Sequence, residues 1–434
     1  MSPEAIGLVG IGGLLMLLVI GMPVAIALMV VGTLGLASLA GWPAALALLA
    51  NESFEVSSFY PLSVIPLFVL MGNIAARAGL SRDLYDAAYA MIGHYRGGLA
   101  SATLVGCAGF SAVSGSSVAS AVTMGRVALP EMARFGYAPR LATGAVAAGG
   151  TLGILIPPST GFVLYAVLTE TSIGRLFMAG VIPGLVLAGL FIATVAVLTR
   201  RDPALGPPGP RPRSGARRAA LVRALPLAAI VGVTIGGLYM GAFTPVEASG
   251  IGAFLALAVA LARRALPVAV LAPVLLASVR TTAMVFLIVI GAHVFGPFLA
   301  LTGLPAALTR GVVGLDLGAT GTLVTILALF VLLGTFLEGL AMLVTTLPLV
   351  FPIVTTMGFD PIWFGVLMVI TLEMGLITPP VGVNVFVVKG LAGGVPMAEI
   401  FKGIAPFWLA MVACLALLVA FPDLSLMLPR TMFG

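Results

Sequence analysis

Apolar residues run along most of this chain in stretches long enough to cross a bilayer, which takes about 20 residues in a helix. That pattern differs from the one-sided apolar stripe of a helix packed on a soluble core. Spans are predicted at 6–20, 24–40, 61–79, 141–165 and 176–199, then at 224–242, 247–262, 281–301, 361–388 and 403–422. Shorter apolar pieces at 43–50 and 266–279 read as interfacial arm helices. The opening Met1-Ser2-Pro3-Glu4 lacks the basic region of a signal peptide, so 6–20 is expected to be a retained span.

Composition removes the soluble alternatives. Of 434 residues, 61% are hydrophobic and 8% charged, against about 25% charged in a soluble domain. The 54 Gly and 30 Pro lie within apolar runs, where a broken helix is tolerated only if protein buries it or a cavity lies beside it. A net charge of +6 then reads as topology, with lipid as the surroundings and no nucleic-acid partner. There is no phosphate-binding Gly-x-x-x-x-Gly-Lys motif, and Lys389 and Lys402 are the only lysines, so ATP hydrolysis is not expected. Cys107, Cys414, His94 and His293 stand apart from one another, which leaves no transition-metal site.

The most polar stretch, 199–223, carries Arg200, Arg201, Arg211, Arg213, Arg217, Arg218 and Arg223 with Pro207, Pro208, Pro210 and Pro212. It reads as a cytoplasmic linker, 200–223, between two halves, 1–199 and 224–434. The halves repeat. Pro130, Gly136, Pro139, Gly153, Pro157 and Pro158 fall, 222 residues on, upon Pro352, Gly358, Pro361, Gly375, Pro379 and Pro380. Chance does not hold one register over so many helix breakers.

Charge orients each half. Arg77, Arg82 and Arg96 precede the segment 97–126 and Arg126, Arg134 and Arg140 follow it, so both of its ends face the cytoplasm. It is too short for two crossings and is predicted to be a re-entrant hairpin with Ser114-Gly115-Ser116-Ser117 at its tip. The counterpart, 318–356, lies between Asp316 and Asp360 and has Leu337-Glu338-Gly339-Leu340 near its tip. No Lys or Arg occurs from Gly311 to Val388, so this hairpin enters from the other side. The fold class predicted is therefore an all-α polytopic membrane protein with two inverted-topology repeats, each with a re-entrant hairpin and a broken helix.

The broken helices, 141–165 and 361–388, contain Gly149-Gly150-Thr151-Leu152-Gly153-Ile154-Leu155-Ile156-Pro157-Pro158-Ser159 and Thr371-Leu372-Glu373-Met374-Gly375-Leu376-Ile377-Thr378-Pro379-Pro380-Val381-Gly382. Unwinding there, through the Gly cluster and the Pro pair, frees carbonyl oxygens at membrane depth, and such hard ligands suit a cation such as Na⁺. The helix after each tip presents free N–H groups to an anion. Na⁺ is expected at Ser114, Ser116, Gly150 and Gly153 and at Glu338, Gly339, Glu373 and Gly375. Substrate is expected at Ser116, Ser117, Pro158, Gly339, Thr378 and Asn384. Glu338 and Glu373 are costly at membrane depth and must face protein or water, whether they bind ions or local N–H groups.

Ser114-Gly115-Ser116-Ser117-Val118-Ala119, Pro130-Glu131-Met132 with Gly136-Tyr137, and the two Gly/Pro runs ending in Ser159 and in Val383-Asn384 together resemble the large membrane subunit of tripartite ATP-independent periplasmic (TRAP) transporters. The resemblance covers essentially the whole chain. It implies Na⁺-coupled import of an organic acid, such as a C4-dicarboxylate, a 2-oxo acid or a sugar acid, across a bacterial inner membrane. It further implies a periplasmic binding protein, a small four-helix membrane subunit as a separate chain, and an elevator-like movement. The family often places Pro after the acid at the second tip; here Gly339 follows Glu338. The alternatives are a stand-alone divalent-anion/sodium symporter and a channel. An intramembrane protease using Ser114 or Ser117 with His293 would account for neither the repeat nor the helix breaks.

Overall fold

The computed structural model describes residues 2–211 and 214–432; Met1, Pro212 and Arg213, named above, lie outside the described residues. Every regular element among them is helical. The first half runs α1 (Pro3–Val19), α2 (Val24–Ala40), α3 (Trp42–Ser58), α4 (Val64–Arg77) and α5 (Leu80–Ile92). The hairpin α6 (Gly98–Ser114) and α7 (Ser117–Arg134) follows, then a helix broken into α8 (Pro139–Leu155) and α9 (Thr160–Thr169), then α10 (Ile173–Arg201). The second half runs α11 (Ser214–Tyr239), α12 (Pro245–Ala262), α13 (Val268–Leu301) and α14 (Leu304–Gly314). The hairpin α15 (Gly318–Gly334) and α16 (Gly339–Thr356) follows, then α17 (Pro361–Gly375) and α18 (Val383–Ala392), α19 (Met397–Ala420) and α20 (Asp423–Met432). Among the described residues, eight helical stretches are long and apolar enough to cross a membrane. The protein is an all-helical, multi-pass membrane protein.

In so apolar a sequence, isolated polar residues mark where helices begin. Ser2, Ser116, Ser159, Ser172, Glu338 and Asp360 each accept a hydrogen bond from a backbone N–H of the following first turn. At α12, Thr244 and Glu247 cap each other reciprocally. These side chains satisfy donors that lipid cannot.

Helices α8 and α17 are buried along most of their length and form the centre, with both hairpins packed around them. On the outside, α2 crosses α13 closely: a Cβ on Gly32 would lie 2.9 Å from the Val294 carbonyl oxygen, and one on Gly291 2.8 Å from that of Ala25. The expected arm at 266–279 is not a separate element. It is the first part of α13, which continues without interruption to Leu301. The polar break in the sequence is absorbed inside the helix, because Ser278 Oγ donates to the Val274 carbonyl and accepts from Asn73 Nδ2 at 2.9 Å. The arm expected at 43–50 extends to Ser58, with Ser53, Ser57 and Ser58 donating back to carbonyls one turn earlier.

The polar stretch between the halves is docked rather than free. Gly97 N–H donates to the Gly206 carbonyl at 2.8 Å, Ala138 N–H to that of Leu205 at 3.0 Å, and Gly209 N–H to that of Gly93 at 2.9 Å. Leu205 is buried, and helix α11 already begins at Ser214.

Candidate substrate and cation site

At the first tip, Ser114 ends α6, Gly115 turns the chain at φ +60°, and Ser116 caps α7 by accepting from Ala119 N–H. The tip is fastened to the break between α8 and α9. A Cβ on Gly115 would sit 2.9 Å from the Pro158 carbonyl oxygen, and Thr160 donates to the Gly115 carbonyl through its hydroxyl at 2.9 Å.

The break is shorter than expected. Gly149, Gly150 and Gly153 remain helical, and regular structure ends only at Leu155, before Ile156-Pro157-Pro158-Ser159. The glycines serve contact instead of unwinding. A Cβ on Gly153 would come within 2.5 Å of the Ser116 carbonyl oxygen, and one on Gly150 within 2.8 Å of Ala121 Cβ. The proline pair still frees acceptors, since the carbonyls of Gly153 and Ile154 have Pro157 and Pro158 four residues on, where no N–H exists. The Gly153 carbonyl thus lacks the usual helical donor, whereas the Gly150 carbonyl lies within a helical turn.

The second tip turns at Thr335–Glu338, and Glu338 Oε2 accepts from Ala341 N–H at 3.1 Å. Gly339 is the first residue of α16. Hairpin and broken helix touch backbone to backbone, with a Cβ on Gly375 falling 2.6 Å from Gly334 Cα. The Gly375 carbonyl is engaged by Thr378 N–H at 3.1 Å. Thr378 is engaged too: its hydroxyl donates to the Met374 carbonyl at 2.5 Å and accepts from the Trp408 indole N–H at 3.0 Å, tying the second break to α19.

Between the tips lies a cavity of about 360 Å³. Ser114, Ser116 and Ser117 border it from one hairpin and Glu338 from the other, which brings four of the predicted residues together. Pro158, Gly339, Thr378 and Asn384 do not border it. Asn73, Thr123, Thr160 and Thr281 do, although the sequence reading passed over them. Asn73 as the lone amide in an apolar run and Thr281 beside Ser278 were the available signals.

Behind the cavity, Ser117 Oγ donates to Glu373 Oε1 at 2.5 Å. Glu373 is 1% exposed, yet its Oε2 has no partner, and neither do Oδ1 and Nδ2 of the buried Asn384. Asn384 stands beside Gly150, where a Cβ would lie 3.4 Å from Nδ2. Orphaned oxygens at such depth are costly unless a ligand completes them. The N-termini of α7 and α16 at the cavity favour an anion, and the carboxylates, the amide oxygen and the freed carbonyls favour a cation. His293 lies elsewhere: its Nδ1 is 3.1 Å from Glu52 Oε2, so the conjectured Ser–His pair is not formed.

A family model described as the DctM component of the tripartite ATP-independent periplasmic transporter matches residues 11–424. The chain belongs to this family. The permease is 38% identical over 383 residues to the C4-dicarboxylate TRAP transporter large permease DctM of Pseudomonas aeruginosa, covering 88% of this chain and 89% of that protein. It is 32% identical to the sialic acid TRAP transporter large permease SiaM of Vibrio cholerae, covering 86% and 87%. Among solved structures, the YdaH transporter of Alcanivorax borkumensis aligns with a TM-score of 0.64 at 17% identity, covering 88% of this chain and 89% of that one. At that identity the likeness is one of fold.

Proposed function

We propose that this large permease imports a small organic acid together with Na⁺ across a bacterial inner membrane, receiving the acid from a periplasmic binding protein and working with a small membrane subunit. Its two halves lie in opposite orientation, and the hairpin-bearing unit carries the load across as an elevator. The family's tripartite description and the C4-dicarboxylate and sialic acid permeases among the relatives support the substrate class and the partners. The inverted arrangement is supported by the recurrence of helix breakers at a constant spacing and by the opposite charge of the loops flanking the two hairpins.

The observation that carries this reading is the cavity itself, bordered by a serine-bearing tip on one side and an acid-bearing tip on the other. The acid's carboxylate would meet the serine hydroxyls and the N-terminal turns of α7 and α16. Na⁺ would take oxygens from Glu373, Asn384 and the freed Gly153 carbonyl, with Glu338 serving the second tip. Coupling follows if the ion completes the tips, so that the loaded unit moves more readily than the half-loaded one. In reconstituted vesicles, Ser116→Ala should abolish substrate-dependent entry of labelled Na⁺ while membrane insertion is unchanged; normal Na⁺ entry in that variant would remove the site assignment.

A further inference from the structure

A second polar cavity, of about 330 Å³, lies at the foot of the first hairpin, away from the tips. Arg82 and Tyr85 of α5 border it on one side and Arg126 of α7 on the other. Neither arginine takes part in an ion pair within 4 Å among the described residues. Tyr85 is 2% exposed, borders the cavity, and its hydroxyl has no hydrogen-bond partner. A buried phenol without a partner is costly enough to need an explanation.

Two acids, Asp86 and Glu131, also border this cavity, so a ligand anion must be held by the arginines against them. Glu131 lies 3.5 Å from Arg134 on its own helix. Burial pushes the Asp86 carboxyl above the usual aspartate range, against the pull of Arg82 and Arg223.

We propose that this cavity is an anion site for a small oxyanion group, carboxylate or phosphate, held by the guanidinium groups of Arg82 and Arg126 and the Tyr85 hydroxyl. Planar guanidinium donors match such groups bidentately. Occupancy clamps α5 to α7. Because α5 is also tied through Asp83 to Arg223 of α11 and to Arg263 at the end of α12, the bound anion restrains the hairpin against the second half of the chain. The group comes either from a free acid or phosphate in solution or from a lipid headgroup.

The full chain in nanodiscs tests this, in a Ser116→Ala background that weakens the central cavity, with every arginine or tyrosine variant compared against that same background so that any remaining central binding cancels. Lactate and inorganic phosphate are titrated in neutral phosphatidylcholine discs, and thermal stability is compared in discs with and without phosphatidylglycerol. Saturable binding of either soluble probe, weakened at least tenfold by Arg82→Gln with Arg126→Gln, supports a soluble ligand. Stabilisation by phosphatidylglycerol alone, lost in the same variant, supports a headgroup. Tyr85→Phe removes one oxygen and should weaken whichever effect is seen severalfold, which separates loss of the site from loss of the fold. Equal responses with and without both arginines would overturn the proposal and leave the transport reading untouched.

Discussion

Ser117 and Glu373, separated by 256 positions in sequence, share a 2.5 Å hydrogen bond that joins the first hairpin tip to the central helix of the second half. Both side chains are about 1% exposed, so the carboxylate depends on this donor. Ser117→Ala leaves a buried acceptor with neither oxygen bonded, at a cost of about 1–3 kcal/mol. Thermal unfolding in detergent should therefore show a lower midpoint, and uptake should fall with it. Wild-type stability in this variant would mean that another group satisfies Glu373.

Gly153 tests the hairpin contact separately from its chemistry. Even alanine places a Cβ 2.5 Å from the Ser116 carbonyl oxygen, and backbone cannot give way as a flexible side chain would. Gly153→Ala should cost about 1–3 kcal/mol through overpacking, and Gly153→Leu should abolish uptake while the protein still inserts. Cysteine cross-linking between the tip and α8 would report the displaced hairpin. Unchanged cross-linking and uptake in Gly153→Ala would contradict the observed approach.

Asp86 sets a pH dependence outside the membrane-spanning helices. Burial raises its carboxyl above the ordinary value, so the folded protein opposes its ionisation. The stability that follows is fully present below the unfolded value, about pH 4, and is lost as pH rises through the folded one. Asp86→Asn should flatten that part of the stability profile and raise the unfolding midpoint at neutral relative to acid pH. A profile parallel to wild type would show that Arg82 and Arg223 already offset the burial.

What was legible in the sequence was the chemistry a residue carries wherever it sits. Pro157-Pro158 and Pro379-Pro380 cannot continue a hydrogen-bond ladder, so both breaks could be expected from the residues alone. Glycine is ambiguous in a way that proline is not. Gly149, Gly150 and Gly153 read as an unwound stretch, but in a membrane protein the missing Cβ more often lets backbones approach, and only the partner across the contact decides between the two. The apolar pieces at 266–279 and 281–301 read as separate elements, yet α13 runs through both; Asn73, far away in sequence, accommodates Ser278 near their junction. The pairing of Ser117 with Glu373 and the engagement of Thr378 by Trp408 are likewise tertiary, and no local pattern announces them.

Import of an organic acid driven by Na⁺ and fed by a binding protein is measured most directly in proteoliposomes holding this chain with its small membrane subunit. Labelled C4-dicarboxylates, 2-oxo acids and sugar acids are presented with and without an inward Na⁺ gradient, and with and without the cognate periplasmic binding protein. Saturable uptake of one acid that requires both the gradient and the binding protein is the predicted result. Uptake at full rate without Na⁺, or without the binding protein, would contradict it.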